Sequence, residues 1–207
     1  MKPCVFLVLG SFTVLLSACS NLKPVTASPR YFLLAPSSTP APEKPPATNS
    51  TPAPVESSPV PAPALAVATI KFPDYLAKKS LAIRKSAIEI AYLESAHWAE
   101  RLDEGFLRVL TADLAARLPG RAIHTRSGKD DLGIQLTVQQ FDVNGPGQAV
   151  LTAEWRIVSP PKGKSINAGR AHLSRNGPNP ERDPGGAVST LSMLINDLSA
   201  EIGKTIR

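Results

Sequence analysis

The sequence predicts an α+β fold: an antiparallel β-sheet with two long amphipathic helices packed on one of its faces. Three observations carry this. Between residues 133 and 174 three stretches alternate apolar and polar residues, and Asn144-Gly145-Pro146-Gly147 and Pro160-Pro161-Lys162-Gly163 separate them, the pattern of a meander. Apolar residues recur at helical spacing over two stretches, from about Trp98 to Leu118 and from Asp183 to about Thr205. Strands and helices do not alternate one for one, which sets aside a βαβ arrangement.

The chain opens with elements of another kind. Lys2 precedes an apolar run from Val5 to Leu16, which closes in Leu16-Ser17-Ala18-Cys19. A positive residue, a short apolar core and small residues at a cut site make a secretory signal. The run is shorter than the roughly 20 apolar residues that span a bilayer. Leu at −3, small residues at −2 and −1, and Cys at +1 resemble the bacterial lipobox, in which a lipid joins the cysteine sulfur and the chain is cut before it. That chemistry needs a thiol nucleophile and neighbours small enough for a peptidase cleft. An ordinary signal with an incidental cysteine, or an uncleaved anchor, are the other readings. The expected division is therefore 1–18 signal peptide, 19–29 lipidated tether, 30–34 first strand, 35–63 Pro-rich disordered segment and 64–207 folded domain. Cys19 is the one site residue assigned, as the point of lipidation. Several acyl chains on one cysteine anchor stably where one does not. Ser20 follows, and since Asp at that place favours the inner membrane in other lipoproteins, serine points to the periplasmic face of the outer membrane.

Arg30-Tyr31-Phe32-Leu33-Leu34 reads as a strand, with a membrane-inserting aromatic patch as the sharper alternative. Ten of the chain's 21 prolines lie within residues 35–63, where fixed φ angles and missing donors stop helix and ladder alike. If the strand before it docks on the domain, this segment is an excursion; if not, it is a spacer. Leu65 to Phe72 is expected to be a strand, Asp74 to Lys79 one helical turn, and Leu81–Arg84 and Ile88–Tyr92 a hairpin about Lys85-Ser86. The helix from Trp98 carries Leu102, Phe106, Leu110, Leu114 and Leu118 and ends at Pro119-Gly120. Arg121–His124 is a short strand, and the meander follows as 133–143, 150–158 and 165–174. Asp183-Pro184 supplies an N-cap and a first-turn proline for the last helix.

Composition narrows the chemistry. The chain has 23 basic and 17 acidic side chains, and loss of Lys2 with the signal leaves a mild excess. The basic residues are scattered (Lys78, Lys79, Arg84, Lys85, Arg117, Arg121, Arg126), so no nucleic-acid partner is expected. An anionic lipid surface stays open as a second use of these charges. Cys4 leaves with the signal and Cys19 is consumed by lipid, so no disulfide is expected. His97, His124 and His172 have no partner at zinc spacing, and no metal or cofactor is expected. Glu94, Glu100 and Glu154 fall on separate elements, Ser95-Ala96-His97 is no triad, and the glycine pairs have turn spacing rather than that of a phosphate loop. Trp98 and Trp155 read as core anchors. No catalytic residues are expected.

Several of these stretches together carry a family resemblance. They are the lipobox ending at Cys19, Tyr31-Phe32-Leu33-Leu34-Ala35-Pro36, Leu81–Arg84, Ile90-Ala91-Tyr92, His97-Trp98-Ala99-Glu100-Arg101-Leu102, Gln140-Phe141-Asp142, Leu151-Thr152-Ala153-Glu154-Trp155 and the C-terminal apolar helix. The chain resembles the ABC-type transport auxiliary lipoproteins of the PqiC/YmbA-like kind. Members often carry proline where this chain has Arg101, and residues 35–63 look like an insertion. The resemblance implies a non-enzymatic periplasmic subunit of an MCE-type lipid or solvent transport system. Its partners would be an MCE-type substrate-binding protein and the associated ABC permease and ATPase, with a homo-oligomeric ring as a further implication. A stand-alone envelope lipoprotein that binds peptidoglycan or other envelope proteins is the alternative.

Overall fold

The computed structural model describes residues 28–37, 63–126, 128–160 and 163–206. The lipobox with Cys19, the tether up to residue 27 and residues 38–62 of the Pro-rich segment lie outside them. Eight strands and two long helices follow in the order β1 (Arg30–Phe32), β2 (Leu65–Lys71), a single 3-10 turn (Asp74–Ala77), β3 (Ser80–Arg84), β4 (Ile90–Trp98), α1 (Leu102–Arg117), β5 (Ile123–His124), β6 (Leu132–Asn144), β7 (Gln148–Ser159), β8 (Lys164–Asn176) and α2 (Pro184–Ile206). The α+β class holds, with both helices on one face of one sheet.

The meander β6–β7–β8 is antiparallel, as its alternation requires. Its apolar residues, Ile134, Leu136, Val138, Phe141 and Val143 on β6 and Ala149, Leu151, Ala153, Trp155 and Ile157 on β7, are all buried on the helix side. Gly147 closes the first turn at φ +108°, a conformation side-chain-bearing residues rarely adopt. Gly169 lies opposite Trp155 on β8, and an added Cβ would come 2.2 Å from the indole Cζ2. The missing side chain is the space the indole occupies, while Trp155 Nε1 donates to Thr205 Oγ1 at 3.2 Å on α2.

The sheet as a whole is mixed, which corrects the wholly antiparallel expectation. β3 and β4 are antiparallel, but β1 runs parallel to β4, and β2 runs parallel to both β5 and β6. β3 also pairs in parallel with β6. β7 occupies one edge of β6 along its length, so β2 and β3 share the other edge. β2 pairs with Leu132–Thr137, and Ile83–Arg84 pairs with Val143–Asn144. The chain from Phe72 to Ala82 bypasses residues 138–142, and the sheet forks there.

The fork leaves a stretch of β6 without a ladder partner on that side, and side chains fill it. The Tyr75 hydroxyl, carried in by the 3-10 turn, accepts from the Phe141 N–H at 3.4 Å and donates to Asp142 Oδ2 at 2.8 Å. Asp142 is buried to 2 % exposure. It also accepts from Arg84 Nη2 at 2.6 Å and from Gln140 Nε2 at 2.9 Å. A buried carboxylate is tolerable only when paired and hydrogen-bonded in this way. Burial first, and then the Asp142 charge, push the Tyr75 hydroxyl up to about 12, so it stays a proton donor at any physiological pH. Beneath the fork Phe106 of α1 stands edge-on to Phe72 and Phe141, with centroids at 5.2 and 5.3 Å.

Two boundaries differ from the sequence reading. The first long helix begins at Leu102 and not near Trp98. Trp98 ends β4 because its N–H donates to Lys79 O at 2.8 Å and Phe32 pairs beside it, while the Ala99 N–H donates to Phe32 O at 2.9 Å. Long-range backbone bonds thus override a helical apolar spacing. Ile88, expected in a strand, is 98 % exposed in the turn before β4. Both tryptophans are buried in the core, and Asp183 caps α2 by accepting from the Gly186 N–H at 2.9 Å.

β1 docks, and the chain beyond it straps the helix pair. Leu34 is buried, and its carbonyl accepts from Arg108 of α1 at 2.9 Å. The Ala35 N–H donates to Ser192 of α2 at 3.2 Å, and the Ser37 N–H donates to Asp113 of α1 at 3.1 Å. Of the two readings of residues 35–63, docking of β1 favours the excursion. The strap restrains one end at Ser37, and the Ala64 carbonyl accepts from the Leu132 N–H at 2.9 Å at the other.

Two predictions follow from these contacts. Asp142→Ala strands the Arg84 charge and should cost about 3–5 kcal/mol, and Tyr75→Phe about 1–3 kcal/mol. Because the two share partners, urea unfolding of the double variant should show a loss smaller than the sum. Desolvation raises the Asp113 carboxyl above its usual range, so its ionisation costs stability at neutral pH, and that cost disappears as pH falls through the raised and then the unfolded value. The melting-temperature advantage of Asp113→Asn over the native protein should therefore be largest near pH 7 and shrink towards pH 4.

Candidate functional site

The helices cover one face of the sheet; on the other, Tyr75 and Arg84 cover Asp142, and the part formed by β2, β6, β7 and β8 away from the fork faces solvent. On that open face the strand registers place side chains from four strands in rows. One row runs Lys71, Thr137, Glu154, Arg170 and the next Thr69, Gln135, Arg156, Ala168. Together they bound a shallow hollow of about 720 Å³. Glu154 takes an ion pair from Arg170 and a hydrogen bond from Gln139 Nε2 at 3.0 Å. Lys71 and Arg156 have no carboxylate partner among the described residues.

A second cleft of about 540 Å³ lies where the sheet forks. Phe72, Leu76, Trp98 and Leu102 supply apolar wall, while Lys78 and Arg101 stand at its polar side. Arg101 is engaged by Asp103 at 2.6 Å and Glu104 at 3.6 Å in the first turn of α1, where acidic side chains favour the helix dipole. The Arg101 guanidinium holds the Asp103 carboxyl below the usual range.

The sequence-level candidates do not converge. His97 sits on β4 edge-on to Tyr31 at 5.7 Å, His124 on β5, and His172 on β8 with Nδ1 2.8 Å from Thr152 Oγ1. Among the described residues no three His, Cys, Asp or Glu side chains gather as metal ligands. Glu94 lies exposed on β4, and Glu100 and Glu154 are engaged by Arg108 and Arg170. The open face with Lys71, Arg156 and Arg170 was missed in the sequence because its cations are far apart along the chain. Strand alternation alone marks each as outward; only the register brings them together. Cys19 lies outside the described residues. No described helix is long and apolar enough to cross a membrane.

Two solved structures share the fold. One, of an uncharacterised protein, superposes with a TM-score of 0.64 at 21% identity, covering 86% of this chain and 97% of that one. The other, from Xanthomonas campestris, gives 0.58 at 16% identity, covering 73% and 91%. The intermembrane transport lipoprotein PqiC of Escherichia coli K12 is 29% identical over 94 residues, 44% of this chain and 49% of that protein, and PqiC of Shigella flexneri matches equally. The chain thus spans about half the length of these relatives. The family model described as the ABC-type transport auxiliary lipoprotein component matches residues 45–203, from within the Pro-rich segment to the last turn of α2. Over more than three-quarters of its length, through every strand and helix after β1, the chain matches that model, and it belongs to the ABC-type transport auxiliary lipoprotein component family.

Proposed function

We propose that this protein is a docking component of an MCE-type lipid or solvent transport system, held by lipid on Cys19 at the periplasmic face of the outer membrane. The family match across residues 45–203 carries this reading, because it covers nearly the whole folded domain. The fold supports a binding role. Glu100, Asp103 and Glu154 at the two hollows are engaged in ion pairs, and the outer face of β2, β6, β7 and β8 presents exposed polar side chains. Its partners are an MCE-type substrate-binding protein and, through it, the ABC permease and ATPase; a ring of copies is compatible with β1, β5 and β8, each of which pairs on one side only among the described residues. A tether raises the effective concentration of such an encounter without adding contacts.

Cys19→Ser should abolish labelling by radioactive palmitate and move the protein from the membrane to the soluble periplasmic fraction. Mild-detergent pull-down of the lipidated protein should recover an MCE protein. Recovery of cell-wall sacculi in its place would establish the scaffold alternative, and an unlabelled wild-type protein would sink the anchor.

A further inference from the structure

The open sheet face has a chemistry of its own. Its centre, Thr69, Gln135 and Thr137, is uncharged and exposed, a strip of hydroxyls and amides able to donate or accept. Lys71 flanks it on β2 and Arg156 on β7, one strand to either side of β6. They lie two inter-strand spacings apart across the sheet and two residues apart along it, which sets their backbones about 11–12 Å apart, close to the width of a helix with its side chains at about 10–12 Å. Arg170 adds a third cation beyond Glu154, which it neutralises. Among the described residues the hollow therefore carries two positive charges without a carboxylate partner, around a hydrogen-bonding floor.

The shape chooses among anionic occupants. A flat bilayer surface would meet the flanking cations but leave the Thr69, Gln135 and Thr137 floor between them without a partner. A polypeptide element standing proud of a partner can enter it, with side-chain carboxylates reaching Lys71 and Arg156. Complementary charge of this kind sets encounter rate and register more than raw affinity.

We infer that this outer face is where the domain receives its partner, and that the segment received is an acidic stretch of polypeptide rich in Asp and Glu. The inference rests on the docking role proposed above and adds to it the surface and the partner's chemistry.

The test uses the full-length lipidated protein in native envelopes, with a photoactivatable benzoylphenylalanine in place of Thr137 on this face or of Ala116, exposed on α1. The Thr137 position should crosslink to an envelope protein whose modified peptide, identified by mass spectrometry, carries an excess of Asp and Glu. The double variant Lys71→Glu with Arg156→Glu should cut that yield about tenfold or more, while its thermal melt stays near the native one because both side chains are exposed. Salt near 0.5 M, which shortens the screening length to roughly 4–5 Å, should weaken the crosslink too. A neutral or basic modified peptide, an adduct to phospholipid or to a second copy, or a yield untouched by the reversal overturns the inference. Capture of the MCE protein from Ala116 but not from Thr137 overturns it and leaves the docking role standing; capture from neither position, with the pull-down empty, removes both.

Discussion

β6 is asked to hold two parallel strands on a single edge, and that demand shapes the rest of the molecule. β2 and β3 reach the same ladder from one continuous piece of chain, which must leave the sheet and return. Backbone groups left open in a sheet interior are costly unless something else bonds them. The Tyr75 hydroxyl does so for the Phe141 N–H, Asp142 accepts that hydroxyl's own proton, and Arg84, the last residue of β3, closes the group. Gln140 completes it from β6 itself, next to the register shift at Val138–Gln140. The aromatic trio Phe72, Phe106 and Phe141 then carries the fork down to α1, so that helix and sheet meet at the point where the sheet divides.

The same division explains why the domain has two hollows of different character. At the fork, side chains turned aside from the ladder line a cleft with apolar wall. Across the undivided part of the sheet, four strands keep their pleat and present polar residues in even rows. One arrangement comes from interruption of the sheet and the other from its continuity, and only the second gathers cations from distant parts of the chain.

How much of this could be read in advance depends on the reach of each signal. Alternation in β6, β7 and β8 and the stripe of α2 are local patterns, and each lies within a residue or two of its expected place. So does the Asp183-Pro184 helix start, a short-range bond between a carboxylate and an N–H three residues on. The parallel pairings left no local trace, since a strand's own residues do not say which neighbour runs beside it. Trp98 shows the limit most clearly: its spacing to Leu102 and Phe106 is helical, yet bonds to Lys79 and the neighbouring Phe32 strand hold it extended. The Asp142 group was legible only as Gln140-Phe141-Asp142 within a strand, with nothing to indicate that Tyr75 and Arg84 would converge on it. The open face was half legible, each residue outward by parity and their meeting hidden in the register.

The docking of β1 also fixes how force would pass through the molecule. Entering from its N-terminal side, the chain is caught at Arg30–Phe32, then clamped through Leu34, Ala35 and Ser37 before the proline-rich stretch begins. Tension arriving from that side is borne by a three-residue strand and a few hydrogen bonds, and the stretch from 38 to 62 lies off the line of pull. The standoff between the domain and whatever grips the N-terminal end is set by the residues before Arg30 alone.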